Sequence, residues 1–157
     1  MERRKEVGVE MDRLAMDWLW LADRQVLGLG IMMPYGRLDA WQVCHQLVLE
    51  VYGASRTFPD DERYGLTAQA RRAAFSSAAN IAEGSAKRGA REFRRFLDIA
   101  LGSLSELSYI LLLSENLGYL TREAWERLNA LRDRAGKLTW RLYESLGKRP
   151  RRTNSRA

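Results

Sequence analysis

The clearest pattern in the sequence is a long apolar stripe in the stretch that begins near Ala90. Its positions recur at alternating steps of four and three residues: Phe93, Leu97, Ala100, Leu104, Leu107, Leu111 and Ser114. Helices that pack side by side in bundles and coiled coils show this spacing. Further apolar residues flank the stripe: Phe96, Ile99, Leu101, Ile110 and Leu112. This helix is therefore predicted to be the central one of a bundle.

The stretch after this helix carries clear boundary signals. Gly118 is placed to end the helix, and Thr121 is placed as the N-cap of another helix with Glu123 in its first turn. Leu120 and Trp125 stand at the two positions of a hydrophobic staple. The apolar face of this last helix is predicted from Leu128, Leu131, Ala135, Leu138 and Leu142, widened by Trp140 and Tyr143. The short link predicts an antiparallel helix pair.

Two helices precede the central one. On the first, the predicted face consists of Leu38, Trp41, His45, Val48 and Tyr52, broadened by Cys44, Leu47 and Val51. Phe58-Pro59 closes it, and an acidic loop leads to a helix of small residues, whose packed side is predicted from Leu66, Ala70, Ala73, Ser77, Asn80 or Ile81, and Gly84. No segment shows the alternation of a half-buried strand. The sequence thus predicts an all-α, up-down-up-down antiparallel four-helix bundle.

Residues 11–27 carry a fifth apolar pattern, which ends at Gly28-Leu29-Gly30. It predicts an extra helical segment before the bundle. Because Met32 and Met33 stand directly before the first bundle helix, we also hold the hypothesis that the natural start lies there and that residues 1–31 are an upstream extension. Residues 36–146 are predicted to form the bundle domain, and residues 147–157 a disordered basic tail.

The net charge of +6 is unevenly distributed. Residues 147–157 contain five basic residues and no acid, and residues 1–31 contain five basic and six acidic residues, which leaves +2 for residues 32–146. The predicted bundle is therefore nearly balanced in charge. The strongest basic signal belongs to the tail, which Gly147 and Pro150 separate from the last helix.

The sequence carries no signal for catalysis or metal binding. Cys44 and His45, the only residues of their types, are adjacent and project about 100° apart on a helix, so they would not converge on one ion. There is no Ser-His-Asp order and no phosphate loop. We predict no catalytic residue, no metal and no cofactor. A lone cysteine without a secretory signal pattern favours a cytoplasmic location, and no membrane partner is expected because no apolar run approaches the ~18 residues of a span.

Five motifs, in their order and spacing, resemble one known family. They are LDAWQ (38–42), FPDDERYGL (58–66), QARRAA (69–74), NIAEG (80–84) and FRRFLDIALGSLSEL (93–107). The family consists of four-helix-bundle proteins encoded by intervening sequences in bacterial 23S ribosomal RNA genes. The resemblance implies a homopentamer of such bundles. It extends to the accessory variability determinant protein of diversity-generating retroelements, and so implies nucleic acid and a reverse transcriptase as partners.

The chain departs from the family pattern at two places. Ser77-Ala78-Ala79 stands where an apolar residue and a proline are usual, and Ala40 stands where a larger aliphatic residue is usual. These differences affect the expected packing and subunit geometry, not the expected fold. The family has no catalytic residues to carry over to this sequence.

The helix of small residues also carries a polar motif: Gln69, Arg71, Arg72, Asn80 and Glu83. Arg72 precedes Asn80 by about two helical turns, so both can share one face, and Glu83 lies about one turn further. Our preferred interpretation is a polar packing network between helices or subunits, in which an arginine-carboxylate pair fixes the register. The alternative is that the arginines bind phosphate.

Two basic clusters are candidates for binding nucleic acid. The first flanks Gly89 between the second and third helices: Lys87, Arg88, Arg91, Arg94 and Arg95. Five copies around an axis would form a ring able to hold a nucleic-acid backbone; the alternative is a solvated charged turn. The second cluster is in the tail: Lys148, Arg149, Arg151 and Arg152. It either solubilises the protein or contacts phosphate, and without an aromatic residue it is not expected to stack on bases.

From these observations we predict a non-enzymatic, cytoplasmic homo-oligomer that binds RNA or DNA, or a nucleic-acid enzyme such as a reverse transcriptase. The alternative is a protein-interaction scaffold with no nucleic-acid role, whose charged residues only keep the oligomer soluble. Reversing the basic charges at the turn separates the two hypotheses, because only nucleic-acid binding would be lost.

Overall fold

The computed structural model describes residues 33–147. They form four α-helices: α1 (Asp39–Ala54), α2 (Leu66–Ser85), α3 (Ala90–Asn116) and α4 (Arg122–Gly147). Each helix packs against the next, and α1 packs against α4, so the four enclose a single core. The predicted all-α four-helix bundle is confirmed. The predicted N-terminal helical segment and the tail beyond Gly147 lie outside the described residues.

The central helix, α3, buries the stripe that the sequence indicates. Six of the seven predicted positions are buried and Phe93 is half-buried. Phe96 and Ile110 beside the stripe are also buried, whereas Ile99 and Leu112 are exposed. Fully burying a leucine side chain contributes about 1.5–3 kcal/mol. The stripe of α3, in contact with both α2 and α4, therefore supplies much of the core.

The buried face of α1 differs from the predicted one. The predicted stripe is half-buried or exposed along its whole length: Leu38, Trp41, His45, Val48 and Tyr52. The buried residues are Ala40, Val43, Cys44, Leu47 and Val51, of which the last three were predicted to broaden the stripe. Both sets recur at steps of three and four residues, and they are offset by one position, about 100° around a helix. Spacing alone could not choose between them, and the predicted face was centred on the less buried of the two sets.

The close packing of α2 depends on its small residues. Ala70, Ala73, Ser77, Ile81 and Gly84 are buried as predicted. At Gly84 a Cβ atom would lie only 2.7 Å from Cβ of Phe96 and from Cδ2 of Phe93. Gly84 therefore belongs to the α2–α3 packing, as its place on the predicted packed side indicated.

The link between α3 and α4 follows the predicted boundary signals. Gly118 has a φ of 76°, a conformation that ends helices and favours glycine. The hydroxyl of Thr121 accepts a hydrogen bond from the amide of Ala124 at 3.2 Å, as an N-cap does. Hydrogen bonds from its own amide and from Thr121 lower the pKa of Glu123. The sequence thus located this turn correctly.

The last helix, α4, buries fewer large residues than predicted. Its buried positions are Leu128, Ala135 and Thr139. Thr139 was not expected in the core, but its hydroxyl donates a hydrogen bond to the carbonyl of Ala135 at 2.8 Å, which satisfies the buried polar group. Trp140, predicted to widen the apolar face, is 49% exposed. That prediction was wrong.

By length and apolar composition, α3 could also cross a membrane. The sequence analysis found no such run because Glu106 interrupts the apolar stretch. Within the bundle, 44% of the relevant window is buried, and the core helix of a soluble protein passes the same test of length and composition. One such helix is weak evidence for a membrane span, and the absence of a membrane partner stays a prediction.

Candidate nucleic-acid interface

The turn between α2 and α3 presents five basic residues within residues 87–95. Gly89, with a φ of 91°, reverses the chain in a conformation that glycine adopts readily. Because α3 begins directly after it, Arg91, Arg94 and Arg95 lie in the first two turns of that helix. The amino end of a helix carries a partial positive charge. The arginines therefore add to the local positive potential instead of offsetting it.

Two of the five basic side chains have acidic partners. Lys87 Nζ lies 3.0 Å from the Glu83 carboxylate, and Arg95 Nε lies 3.4 Å from the Glu92 carboxylate. Both cations also lie over the ring of Phe96, at 5.2 and 5.0 Å from its centroid. Ion pairs as exposed as these contribute about 0–1 kcal/mol each. They leave Lys87 and Arg95 accessible to a stronger anionic partner.

Arg94 is held against α4. Its guanidinium carbon lies 4.2 Å from the ring centroid of Tyr143. Its Nη1 lies 3.1 Å from the point that a Cβ atom of residue 147 would occupy, so Gly147 leaves room for it. The Nε atom is buried and has no hydrogen-bond partner among the described residues. A guanidinium that is already stacked loses less conformational entropy when it binds an anion.

These residues line an open groove of about 510 Å³ between the start of α3 and the end of α4. Its lining consists of Arg91, Glu92, Arg94, Arg95, Asp98, Tyr143, Leu146 and Gly147. Within residues 33–147, neither Arg91 nor Arg94 has a carboxylate within 4.0 Å. The lining thus holds three arginines against two carboxylates, and guanidinium groups beside an aromatic wall are chemically matched to phosphate groups.

The groove also adjoins the beginning of the tail. Gly147 lines it and is the last described residue. The predicted tail residues follow directly in the chain but lie outside the described residues: Lys148, Arg149, Arg151 and Arg152. From the sequence, turn and tail were predicted to be separate clusters. The antiparallel packing of α3 and α4 brings the covalent start of the tail to the basic turn.

An aromatic pair extends the wall of the groove. Trp140 stacks on Tyr143, with ring centroids 5.3 Å apart and 16° between the ring planes. Arg94, Tyr143 and Trp140 thus form one stack, and Trp140 at its end is exposed. The sequence contained a usable signal that was missed. Trp140 is two residues from both Leu138 and Leu142, which on a helix turns it about 200° away from each of them.

A basic stripe on α4 was also missed. Arg134, Lys137 and Arg141 recur at steps of three and four residues, and all are exposed. No carboxylate in the described part of the chain lies within ion-pair distance of any of the three. Lys137 precedes Trp140 by about one turn, and Arg141 directly follows it. Three cations therefore lie along α4 near the exposed indole, with one exposed carboxylate, Glu144, about one turn beyond Trp140.

The predicted polar motif on α2 divides between two neighbouring helices. Arg72 hydrogen-bonds to Gln69 and forms an ion pair with Glu106 on α3. Arg71 Nε donates to the hydroxyl of Ser55 at 2.8 Å, just beyond the end of α1. Adjacent residues on a helix point about 100° apart, so the two arginines reach different neighbours. Neither arginine lies at the basic groove.

The rest of the motif makes separate contacts. The Asn80 side chain donates to the carbonyl of Ser76 at 2.8 Å, and the Ser76 hydroxyl lies 2.8 Å from the hydroxyl of Ser103 on α3. Glu83 pairs with Lys87 of the basic turn. Arg72 and Asn80 do share the side that faces α3, as their spacing indicated. A role of the motif in contacts between subunits stays a prediction.

Cys44 and His45 point into different surroundings. Cys44 is buried, its Sγ lies 4.0 Å from the hydroxyl of Thr139, and burial raises the pKa of its thiol. The ring of His45 stacks on Trp41, with centroids 5.0 Å apart, and partial burial lowers its pKa. Within residues 33–147, no three His, Cys, Asp or Glu side chains gather so that they could hold a metal ion. Packing accounts for both residues.

Comparison with known proteins identifies the lineage. A family model described as 23S rRNA-intervening sequence protein matches residues 36–141, well over half of the chain. The chain belongs to this family. The match includes the basic turn and Trp140, and it ends shortly before Tyr143. Membership confirms the resemblance drawn from the sequence motifs but assigns no biochemical function.

A solved structure with the same fold supports the architecture. It is the crystal structure of a protein of unknown function from the S23 ribosomal protein family of Bacteroides thetaiotaomicron, with 23% identity and a TM-score of 0.63. The likeness covers 67% of this chain and 98% of that one. At this identity it shows the fold alone. No curated protein matches the chain, and the relation to the retroelement accessory protein stays a prediction.

Proposed function

We propose that this family member is a non-enzymatic, self-associating bundle that binds nucleic acid through the basic end formed by the α2–α3 turn and the start of the tail. The observation that carries the proposal is the groove beside α3, where Arg91 and Arg94 have no acidic partner within the described residues. Like charges about one turn apart at a helix amino end destabilise the helix. A bound phosphate would offset the repulsion between these arginines, because guanidinium groups bind phosphate in bidentate fashion.

The opposite end of the bundle carries the opposite charge, which also supports the proposal. Between residues 56 and 63, three acidic residues outnumber two arginines: Asp60, Asp61 and Glu62 against Arg56 and Arg63. This link joins α1 to α2, at the other end of α2 from the basic turn. Charge is thus separated along the bundle axis. Such a field would draw a polyanion to the basic end.

Self-association is supported by exposed apolar residues on α2 and α3. Phe75 is 60% exposed, Ile99 is 43% exposed and Tyr109 is 66% exposed. Phe75 directly precedes Ser76 on α2, and Ile99 lies one turn before Ser103 on α3. The hydroxyls of Ser76 and Ser103 are within hydrogen-bond distance of each other, so Phe75 and Ile99 lie on neighbouring parts of the two helices. Exposed apolar patches mark interaction surfaces. The family resemblance leads us to expect a pentamer of 18.1-kDa chains, in which five basic turns would combine into a ring.

The absence of catalysis is part of the proposal. The buried thiol of Cys44, whose pKa is raised, is a poor nucleophile because the thiolate is the reactive form. The His45 ring faces Trp41 and not a polar partner. Partnership with a nucleic-acid enzyme such as a reverse transcriptase, and a cytoplasmic location, rest on the sequence alone and stay predictions.

Binding is tested by fluorescence anisotropy with the full-length protein and labelled RNA and DNA longer than the ~16 nucleotides that large single-strand sites cover. The affinity should fall steeply between about 50 and 200 mM salt, because bound phosphates release counterions. The double variant Arg88→Glu and Arg91→Glu should lose binding. The matched control, Arg56→Glu and Arg63→Glu, changes the net charge equally at the acidic end and should retain it.

Absence of binding at low salt, or binding without a salt slope, would reject the proposal. If both double variants bind nucleic acid equally well, the basic turn is not part of the binding site. The scaffold alternative makes a different prediction: the Arg88→Glu and Arg91→Glu variant keeps all its protein partners, and the wild-type protein binds no nucleic acid. Circular dichroism of each variant verifies that the helices are intact.

A further inference from the structure

The stack of Arg94, Tyr143 and Trp140 places an exposed aromatic ring beside the basic groove. We propose that Trp140 stacks on an unpaired base, so that the protein binds single-stranded nucleic acid in preference to duplex. This inference rests on the proposed function and names the class of nucleic acid that the same site takes. It assigns a contact to α4, whereas the sequence pointed only to the turn and the tail.

The geometry of the stack carries the inference. Two contacts link the groove to the indole. Arg94 Cζ lies 4.2 Å from the Tyr143 ring centroid, and that centroid lies 5.3 Å from the ring centroid of Trp140. The indole of Trp140 stacks on the ring of Tyr143, and Trp140 is still 49% exposed. About half of Trp140 is therefore accessible to another flat ring. A base stacked on the indole would adjoin an aromatic pair that a guanidinium already contacts.

The charges around the stack fit a strand that runs across it. Arg91 and Arg94 lie on the groove side of the aromatic pair. Lys137 and Arg141, both exposed, lie on α4 beside Trp140. Proteins that bind single strands combine aromatic rings for the bases with basic side chains for the backbone. Here both kinds of group occur at one end of the bundle.

The preference for single strands follows from the position of the ring. In a duplex, neighbouring bases cover both faces of every internal base, so an outside indole reaches only a terminal pair. An unpaired strand can turn its bases outward onto an aromatic side chain. Phosphate contacts with Arg91 and Arg94 are available to both forms. The discrimination should therefore depend on Trp140, while the salt dependence should depend on the arginines.

The test compares three variants of the full-length protein with single-stranded DNA, single-stranded RNA and a blunt duplex of the same sequence. Trp140→Ala should weaken single-strand binding by roughly 5- to 150-fold, the range found when one stacking side chain is removed. Trp140→Phe should retain most of the affinity. Tyr64→Ala is the matched control, because Tyr64 is 88% exposed and also lies near an arginine, Arg63, but stands at the acidic end.

Loss of single-strand affinity in Trp140→Ala, with duplex binding and the control unchanged, supports the proposal. Unchanged single-strand binding in Trp140→Ala overturns it and leaves the proposed function standing, since the wild-type protein still binds. Equal affinity of the wild-type protein for single strand and duplex also overturns it. Absence of all binding at low salt overturns both. The RNA and DNA arms show which of the two backbones is preferred.

Discussion

Replacing Gly84 by alanine should destabilise the bundle, although alanine is the better helix former. The added Cβ atom would lie 2.7 Å from Cβ of Phe96 and from Cδ2 of Phe93. The best separation of two non-bonded carbon atoms is about 3.5–4.0 Å. Phe96 Cβ is attached directly to the backbone of α3, so it cannot move away by a change of rotamer. Relief therefore requires α2 and α3 to separate.

The magnitude follows from two opposing effects. Overpacking of a well-packed core costs about 1–3 kcal/mol. Alanine in place of glycine in a helix interior gains at most about 1 kcal/mol. Two glycines with no atom within 4 Å of an added Cβ isolate the second effect: Gly102 on α3 and Gly136 on α4. Gly102→Ala and Gly136→Ala should each stabilise the bundle by about 0.5–1 kcal/mol.

The assay is urea unfolding followed by circular dichroism, with all three variants at one protein concentration because self-association links stability to concentration. The difference in unfolding free energy between Gly84→Ala and the two control variants should be at least about 1–3 kcal/mol, because Gly84, the next-to-last residue of α2, gains no more helix propensity than the controls. If Gly84→Ala is as stable as the controls, Gly84 does not set the spacing of α2 and α3, and the argument from the 2.7 Å approach is refuted.

Three further predictions follow from separate contacts. Thr121→Ala removes the acceptor of the Ala124 amide and should cost about 0.5–2 kcal/mol of unfolding free energy; Thr121→Ser should restore it, and equal stability of both variants would argue against the cap. Phe75→Glu puts a charge in the exposed apolar patch and should dissociate the oligomer in light-scattering measurements, whereas a wild-type protein that is already monomeric would contradict the proposed self-association. His45 has a pKa below its ordinary 6.5 because of burial, so the unfolded chain takes up the proton more readily. Its contribution to stability is present above that ordinary pKa and is lost as the pH falls through the lower folded-state value. His45→Gln should make the unfolding free energy less dependent on pH in this range. An unchanged pH dependence would contradict the assignment of this effect to His45.

The parts of the fold that the sequence predicted well are those governed by local interactions. The stripe of α3 and the turn at Gly118 and Thr121 follow from residues within a few positions of each other. Helical periodicity, positive φ at a glycine and N-capping act within one or two turns. They can therefore be inferred from one stretch of sequence without knowledge of its neighbours.

The two main errors, on α1 and on α4, had different causes. On α1, the stripe through Trp41 and His45 and the stripe through Cys44 and Leu47 have the same spacing. Only the positions of α2 and α4 decide which of the two faces the core. On α4, local spacing already turned Trp140 away from Leu138 and Leu142, so its assignment to the apolar face overlooked a signal in the sequence. Burial of Thr139 is tolerated because its hydroxyl is satisfied within the helix.

By itself the sequence determined the four helices, their boundaries, the bundle and its family, because periodicity, capping and motif order are properties of the chain. Tertiary structure decided the candidate site. Arg94 and Tyr143 belong to different helices and are far apart in the chain, yet the antiparallel packing of α3 and α4 places the guanidinium over the ring at 4.2 Å. Contacts between distant residues depend on how the helices pack, which no local pattern specifies, and the groove and its aromatic wall consist of such contacts.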